Sequence, residues 1–252
     1  MSLIYEPKGK AREYSPLALN IYNGCSHRCK YCYLKNFSAF LSAPFPTEKK
    51  NLLENLEKEL SRKEIFDQVL LSFVSDIYCE GATITRDVLK LLIKYQVPTA
   101  ILTKNKSVVN DIDLFEQFDA LKIGMTLTFT DAEKSKYYEP GASIPAERFE
   151  ALRTLHGLGF RTFASLEPVI EPEESLEVIE KTHSYIDLYK IGKLNNISFG
   201  KKIDWKQFGN LAIERCQKYK KDFYIKKDLL DFVGTERLKP ENFSPDFWAL
   251  KK

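Results

Sequence analysis

Short apolar runs alternate with amphipathic segments along most of the chain, which predicts repeated strand–helix units. The apolar runs, which we interpret as buried strands, lie at 17–22, 68–74, 98–103, 121–129, 160–166 and 186–191. Segments with apolar residues at helical spacing follow them, at 48–61, 85–95, 111–118, 145–157, 172–182 and 204–219. A shorter run at 223–225 indicates a stub strand. Strands and helices that alternate in this way form a parallel sheet covered by helices.

Six strand–helix units predict an α/β fold of the partial (β/α)6 TIM-barrel type, because a complete barrel of this kind has eight. We expect an irregular N-terminal arm over residues 1–16, the barrel over 17–225, and a short C-terminal tail over 226–252 that packs on the barrel. The length of 252 residues suits one such domain. Neither a low-complexity linker nor a clear internal repeat interrupts the pattern.

Composition supports a globular chain with a large core, since 44% of the residues are hydrophobic and 13% are aromatic. No apolar run reaches the ~20 residues that a membrane-spanning helix needs, and the sequence shows no targeting segment. We therefore expect no membrane association and a cytoplasmic location, where thiols stay reduced. The formal net charge is only +3, but from Asp187 onward there are 15 Lys and Arg against 9 Asp and Glu. This asymmetry permits an anionic partner.

The densest candidate chemistry lies on the loop after the first strand. Cys25, Cys29 and Cys32 follow the turn residues Asn23-Gly24 with C-x3-C-x2-C spacing. Thiolates hold iron–sulfur clusters, and three ligands for a four-iron cubane leave one iron open for chemistry. A structural zinc site stays open as an alternative, although the three histidines are scattered along the chain. A disulfide is disfavoured because it would leave an odd thiol and suits a secreted chain.

The stretch Cys25-Ser26-His27-Arg28-Cys29-Lys30-Tyr31-Cys32-Tyr33 resembles the signature of the radical S-adenosylmethionine (SAM) enzymes. With the preceding Asn20-Ile21-Tyr22-Asn23-Gly24 it resembles more specifically the spore photoproduct lyase group. The resemblance implies a partial barrel and a [4Fe–4S] cluster on the three cysteines, with an open iron that binds the amino and carboxylate groups of SAM. It also implies reductive cleavage of SAM to a 5′-deoxyadenosyl radical. Tyr31 would then be a cofactor contact, and the electron donor a protein such as flavodoxin or ferredoxin.

Polar or charged residues follow nearly every predicted strand, and βα barrels place their active sites at these carboxyl ends. The ends carry Val74-Ser75-Asp76, Thr103-Lys104-Asn105, Thr126, Ser165-Leu166-Glu167-Pro168 and Lys190-Ile191-Gly192-Lys193-Leu194-Asn195. Several of these stretches resemble motifs of the lyase group or a related family. The resemblance implies that the cofactor contacts include Ser75, Asp76, Lys104 and Thr126. We expect Glu167 and Lys190 to form a charged pair that shapes the substrate end of the site.

One position departs from the lyase pattern. The resemblance implies a hydrogen-donating cysteine immediately before the Thr-Ser-Asp motif, and Phe73 stands in that place here. Cys79 follows a few residues later and is the candidate donor to a carbon radical, with Tyr33 as a candidate relay. The alternative for Cys79 is a half-buried small apolar residue. Cys216 lies among apolar residues of a predicted helix and is expected in the core.

We therefore expect a radical SAM enzyme that acts on a nucleic acid or nucleotide, as a lyase related to DNA photoproduct repair. DNA or RNA is the expected partner, and the protein is expected to be a monomer or homodimer. The candidate phosphate contacts are Lys201, Lys202, Lys218, Lys220, Lys221, Lys226 and Lys227. Two alternatives stay open: a radical SAM enzyme for a peptide, sugar or small metabolite, and a non-catalytic nucleic-acid-binding protein with a structural metal site.

Overall fold

A computed structural model of the chain describes residues 2–39, 43–194 and 203–252. The strands are β1 (Ile4–Tyr5), β2 (Leu17–Leu19), β3 (Tyr22–Asn23), β4 (Thr47–Glu48), β5 (Val69–Leu71), β6 (Thr99–Thr103), β7 (Leu121–Thr126), β8 (Arg161–Leu166), β9 (Leu188–Ile191) and β10 (Asp222–Ile225). The helices are α1 (Leu52–Leu60), α2 (Thr85–Lys94), α3 (Ile112–Phe115), α4 (Ala132–Tyr138), α5 (Pro145–Gly157), α6 (Pro172–Thr182), α7 (Trp205–Lys218) and α8 (Lys227–Val233).

The main sheet contains eight strands in the order β1-β2-β5-β6-β7-β8-β9-β10. In this order, every neighbouring pair from β2 through β5 to β10 is parallel. Strand β1 pairs with β2 in the antiparallel direction and forms one edge. The pair β3 and β4 forms a separate antiparallel sheet. The mixed α/β fold with a parallel sheet is therefore confirmed. The predicted stub at 223–225 is a full strand, because all four residues of β10 pair with β9.

Alternate residues of the strands face two different cores, as the period of two in a strand requires. On the outer face, residues such as Val69, Ile101 and Met125 pack against the helices. Helix α1 contributes Leu52, Leu56 and Leu60 to this core, at the spacing that places them on one helix face. The inner face of the sheet carries two smaller clusters, formed by Phe163, Leu188, Tyr224 and Trp248 and by Tyr14, Leu70 and Ala100.

The C-terminal tail covers the amino ends of the strands. Trp248 packs into the inner core, and its carbonyl oxygen accepts a hydrogen bond from Lys122 Nζ at 2.6 Å. Further along, the backbone nitrogen of Gln68 donates to the carbonyl oxygen of Leu250 at 3.1 Å. These contacts close the end of the barrel that lies opposite the carboxyl edge.

The sequence pattern missed several elements, among them β1, β4, α4 and α8. Strand β1 lies in the segment predicted to be irregular, and its two residues are too few to show an alternating pattern. Helix α4 has the polar sequence AEKSKYY, which lacks an apolar stripe. It is capped by Asp131, whose side chain accepts a hydrogen bond from the Lys134 nitrogen at 2.8 Å. No helix in the described ranges is long and apolar enough to cross a membrane.

Candidate active site at the cysteine loop

The cysteine loop, residues 23–35, leaves the carboxyl edge of the sheet in a fixed direction. Asn20 ties its start to the end of β5, since its Oδ1 accepts hydrogen bonds from the Phe73 nitrogen at 2.8 Å and from Ser72 Oγ at 3.1 Å. Gly24 has a φ of +79°, and a Cβ there would lie 2.5 Å from the carbonyl oxygen of Phe45. Only glycine fits this turn, which delivers Cys25 to the edge of the sheet.

Cys29 is the buried member of the cysteine triad, while Cys25 and Cys32 are partly exposed. A tight turn joins two of them, because the Cys32 nitrogen donates to the Cys29 carbonyl oxygen at 3.1 Å. Three free thiols thus lie on a single loop, with Cys29 and Cys32 joined by this backbone turn. Cys79, from the loop after β5, joins them as a fourth thiol. Its hydrogen bond with Cys25 lowers the pKa of Cys79 to about 7, although burial opposes the change.

Lys104 supplies positive charge beside Cys29. Burial acts to lower the pKa of Lys104, but the charges of Cys29, Glu139 and Asp76 outweigh it and raise this pKa. Burial raises the pKa of Cys29 to about 11, and Lys104 acts in the opposite direction. Lys104 Nζ also lies 5.9 Å from the centroid of the Tyr31 ring. A lysine side chain therefore lies near the Tyr31 ring and interacts electrostatically with Cys29.

Asp76 links the cysteine loop to the ends of β5 and β6. Its carboxylate accepts hydrogen bonds from the Lys104 nitrogen and from Thr103 Oγ1, both at 2.7 Å, and from the Tyr78 nitrogen at 2.9 Å. On its other side, Oδ2 lies 3.4 Å from Nδ1 of His27. Asp76 thus orients the backbone of Lys104 and lies beside the buried His27.

The remaining predicted contacts lie along the same edge. Ser75 Oγ is 3.3 Å from Ser72 Oγ, and Thr126 is buried opposite Ser165 in the register of β7 and β8. Tyr33 is 49% exposed, and its hydroxyl donates to the Phe73 carbonyl oxygen at 2.8 Å. Burial raises the pKa of Tyr33 to about 12, so its hydroxyl stays protonated at neutral pH.

Comparison with known proteins identifies the family of this site. Residues 19–186, which contain the whole cysteine motif, match the family model described as the Radical SAM superfamily. The chain belongs to the radical SAM superfamily. It is therefore a radical SAM enzyme, and the family implies a [4Fe–4S] cluster and SAM as its cofactors.

Relatives of this radical SAM enzyme include uncharacterized proteins from an archaeon and a virus. An uncharacterized protein of Methanocaldococcus jannaschii is 30% identical over 181 residues, which are 70% of each chain. An uncharacterized protein of Acidianus two-tailed virus is 24% identical over 185 residues, covering 65% of this chain and 62% of its own.

Solved structures share the fold of the enzyme. Spore photoproduct lyase complexed with dinucleoside spore photoproduct matches with a TM-score of 0.67 and 14% identity, over 87% of this chain and 78% of the lyase. Streptococcus suis SuiB bound to S-adenosylmethionine matches with a TM-score of 0.65 and 14% identity, over 90% of this chain and 54% of SuiB. At such identities the likeness concerns the fold.

The residues of the cysteine loop fit the cluster that the family implies. The donor set consists of three free thiols from one loop, with a cation beside the most buried of them. Within the ranges that the structure describes, no three His, Cys, Asp or Glu side chains are grouped closely enough to bind a single metal ion. A cubane cluster does not need such a group, because its thiolates bind different irons.

Glu167 and Lys190 lie in a buried polar network at the carboxyl ends of β8 and β9. Glu167 Oε2 accepts a hydrogen bond from Tyr14 OH at 2.8 Å and forms an ion pair with Lys226. Lys190 Nζ donates to the backbone oxygens of Glu13 at 2.9 Å and Tyr14 at 3.2 Å. Burial, followed by repulsion from Lys226, lowers the pKa of Lys190 to about 7. The two predicted residues thus share Tyr14 as a partner, and the cation that pairs with Glu167 is Lys226.

Lys226 corrects one sequence-based expectation. Its side chain is 1% exposed and forms ion pairs with Glu167 and, at 3.7 Å, with Glu13. The prediction that Lys226 contacts a phosphate is therefore wrong, because its ammonium group does not reach the surface. Gly192 makes room for this pair, since a Cβ there would lie 3.0 Å from both Glu167 Cδ and Lys226 Cδ. Tyr14 and Glu13 belong to the N-terminal arm, whose sequence shows no pattern that predicts a place in the barrel.

Among the described residues, the other candidate phosphate contacts do not form one surface. Lys218, Lys220 and Lys221 precede β10 and therefore flank the amino end of this strand, away from the cysteine loop. Lys227 follows β10 and is exposed at the carboxyl edge. Lys201 and Lys202, together with Asn195, lie outside the described residues.

Exposed aromatic and cationic side chains lie on and beside the cysteine loop. The Arg28 guanidinium lies 5.3 Å from the centroid of the Phe45 ring, and Lys30 Nζ lies 2.9 Å from that of Tyr137. Tyr33 packs edge to face against a further aromatic ring at 5.8 Å. The four aromatic side chains are each about half exposed or more. We call this surface the aromatic rim, which comprises Arg28, Lys30, Tyr33, Phe37, Phe45 and Tyr137.

Proposed function

We propose that this radical SAM enzyme acts on a nucleic acid or nucleotide, as a lyase-type enzyme related to DNA photoproduct repair. The aromatic rim is the observation that carries the proposal. Bases stack on aromatic side chains, while Arg and Lys neutralise phosphates, and the rim offers both kinds of group beside the cysteine loop. The shared fold with a spore photoproduct lyase that binds a dinucleoside photoproduct agrees with this assignment.

The cofactor side of the proposed site is formed by the cysteine loop and the neighbouring strand ends. Cys25, Cys29 and Cys32 would hold the [4Fe–4S] cluster, which with SAM supplies a 5′-deoxyadenosyl radical when an electron donor such as flavodoxin or ferredoxin reduces it. Lys104 is suited to the SAM carboxylate, because its Nζ forms no hydrogen bond or ion pair with any of the described residues and stays charged. The further proposed cofactor contacts are Tyr31, Ser75, Asp76 and Thr126.

The interior of the barrel favours a substrate that reacts near the rim. Tyr14 lies over Leu70 and Ala100, and the cluster around Phe163 and Trp248 fills the space towards the amino ends. A large substrate can present one group at the carboxyl edge without entering a deep pocket. Because side chains occupy the interior, the site favours a polymeric substrate over a small metabolite, which usually binds in an enclosed pocket.

The substrate side of the proposal comprises the network of Glu167 and Lys190, with Cys79 as hydrogen donor and Tyr33 as relay. We assign the role of hydrogen donor to Cys79 because it is a fourth thiol, and it lies beside Cys25. The position where the lyase pattern has its donor cysteine is occupied by Phe73 in this chain. We assign the role of radical relay to Tyr33 because its hydroxyl donates a hydrogen bond to the backbone oxygen of Phe73.

Oligonucleotide binding at low salt tests the proposed substrate class. Phe37→Ala removes a rim ring that is 59% exposed, and Phe66→Ala removes a ring that is 57% exposed beside the amino end of β5. We expect Phe37→Ala to weaken binding of single-stranded DNA by about 1–3 kcal/mol, the usual contribution of one stacked base, and Phe66→Ala to leave it unchanged. Fluorescence anisotropy measures both. Absent affinity for DNA and RNA, or equal effects of the two substitutions, contradicts the proposal.

A further inference from the structure

The segment between α4 and α5 lies directly against the cysteine loop. The Lys30 nitrogen donates to the Tyr138 carbonyl oxygen at 2.8 Å, and the Gly141 nitrogen donates to the His27 carbonyl oxygen at 3.0 Å. A Cβ at Gly141 would lie 2.3 Å from the carbonyl oxygen of Ser26. The two backbones are therefore in contact, and the segment has no space to move towards the loop.

The same segment also contacts the strand end that carries Lys104. The Ser143 nitrogen donates to the Lys104 carbonyl oxygen at 3.0 Å. Residues 138–143 consequently bridge the two structural units that meet at the cofactor side, the cysteine loop and the end of β6. We call these residues, together with Arg148 of α5, the clamp.

Glu139 brings a buried charge into the clamp. It is 1% exposed, and its Oε1 accepts hydrogen bonds from Tyr31 OH and, at 3.3 Å, from Thr128 Oγ1. Its Oε2 pairs with Arg148 Nη2 at 2.5 Å. Arg148 is also 1% exposed, and it donates to the carbonyl oxygens of Thr126 at 2.9 Å and Ser143 at 2.7 Å. Each charge is therefore neutralised and hydrogen-bonded.

An ion pair at this depth is not the most stable way to fill the space, because apolar residues of similar volume often stabilise a fold at least as well. A carboxylate does offer a directional acceptor for one hydroxyl, which an apolar side chain cannot. That hydroxyl belongs to Tyr31, the motif residue between Cys29 and Cys32. The bond therefore fixes the rotation of the Tyr31 ring, whose centroid lies 5.9 Å from Lys104 Nζ.

We propose that Glu139 and Arg148 are positioning residues, which hold the Tyr31 ring and the turn from Cys29 to Cys32 in the orientation that the cluster and SAM require. They act through Tyr31 and the loop backbone. This role is independent of the substrate class, so it stands or falls separately from the proposed action on nucleic acids.

Two single substitutions and their combination test the clamp. Tyr31→Phe removes only the hydroxyl, and Glu139→Gln removes the charge of its acceptor. Tyr189→Phe is the matched control, because its buried hydroxyl lies 2.7 Å from Thr182 Oγ1 in the outer core. We expect Tyr31→Phe and Glu139→Gln each to weaken SAM binding by the reconstituted protein roughly tenfold, as loss of a hydrogen bond to a charged group predicts. The double variant should lose less than the sum of the two single variants, because both substitutions act on the bond between Tyr31 and Glu139.

A second readout uses the protein without its cofactors. Alkylation of Cys29 by iodoacetamide, followed by peptide mass spectrometry, reports how firmly the loop is held, since this thiol is 7% exposed. We expect at least a severalfold faster reaction in Tyr31→Phe than in Tyr189→Phe, with thermal unfolding showing both variants folded. If Tyr31→Phe matches Tyr189→Phe in both SAM affinity and alkylation rate, the proposal is overturned. Additive losses in the double variant would overturn it as well. So would a Glu139→Gln variant that is less stable yet binds SAM normally while folded.

Discussion

Replacement of Gly141 by alanine is the sharpest single test of how the cysteine loop is held. The new Cβ would lie 2.3 Å from the Ser26 carbonyl oxygen and 2.8 Å from His27 Cα. Both are backbone atoms, so neither can rotate away as a side chain would. Ordinary contact begins near 3.5 Å, which means that the loop and the clamp must separate by about 1 Å.

The energetic cost of Gly141→Ala has two parts. Overpacking of a filled site costs about 1–3 kcal/mol, and loss of the hydrogen bond from the Gly141 nitrogen to His27 costs about 0.5–1.5 kcal/mol more. We therefore expect the free energy of unfolding to fall by about 2–4 kcal/mol. A ligand set must also be held within ~0.5 Å of its working geometry, so the bound iron per chain should fall as well.

Gly157→Ala provides the control for Gly141→Ala. Gly157 is the last residue of α5, and no atom lies within 4 Å of a Cβ built there. Alanine at this position should change stability by no more than about 1 kcal/mol, in the stabilising direction. Urea unfolding measures both variants, and iron analysis after anaerobic reconstitution measures cluster loading. A Gly141→Ala protein with normal stability and normal iron content would refute the reasoning.

Three further predictions concern buried or site lysines. Lys104→Gln removes the proposed cation for the SAM carboxylate and should weaken SAM binding at least about tenfold, as measured by equilibrium dialysis. The control Lys106→Gln replaces an exposed lysine and should leave SAM binding unchanged. Lys226→Met removes the buried cation that pairs with Glu167 and Glu13, and it should cost about 3–5 kcal/mol in urea unfolding. The exposed Lys227→Met should cost at most about 0.5 kcal/mol. Lys190 has a folded pKa of about 7, below its unfolded value, so between pH 7 and about 10 the unfolded chain binds more protons. The unfolding free energy of the wild type should therefore rise relative to that of Lys190→Met, by up to about 1.4 kcal/mol per pH unit. Equal loss in a lysine variant and its control, or a pH-independent difference for Lys190→Met, would contradict these predictions.

The sequence predicts those parts of the site whose residues are close together in the chain or directly follow a recognisable strand. The triad of Cys25, Cys29 and Cys32 lies within one short loop, and its spacing alone indicates a shared ligand. Lys104 and Glu167 follow apolar strands, and parallel strands bring their carboxyl ends to one edge. The alternation of strands and helices therefore predicts both the fold and the edge that carries the site.

The parts that the sequence does not predict depend on contacts between distant residues. Glu139 reaches Tyr31 across 108 positions of the sequence, from the end of the polar helix α4. Lys226 lies in a lysine-rich stretch that is typical of solvated surface, yet it is buried because Glu13 and Glu167 surround it. No pattern in the sequence around either residue reports such partners. Only the folded chain shows that Glu139 accepts a hydrogen bond from Tyr31 and that Lys226 forms a buried ion pair.

The formation of 5′-deoxyadenosine tests most directly whether the cysteine loop is the site of radical SAM chemistry. The protein is reconstituted anaerobically with iron and sulfide, reduced with dithionite and given SAM, beside a Cys29→Ala variant treated in the same way. We predict iron binding and 5′-deoxyadenosine from the wild type, with neither cluster nor product from Cys29→Ala. A wild-type protein that binds no iron, or product that forms equally in both proteins, would contradict the assignment.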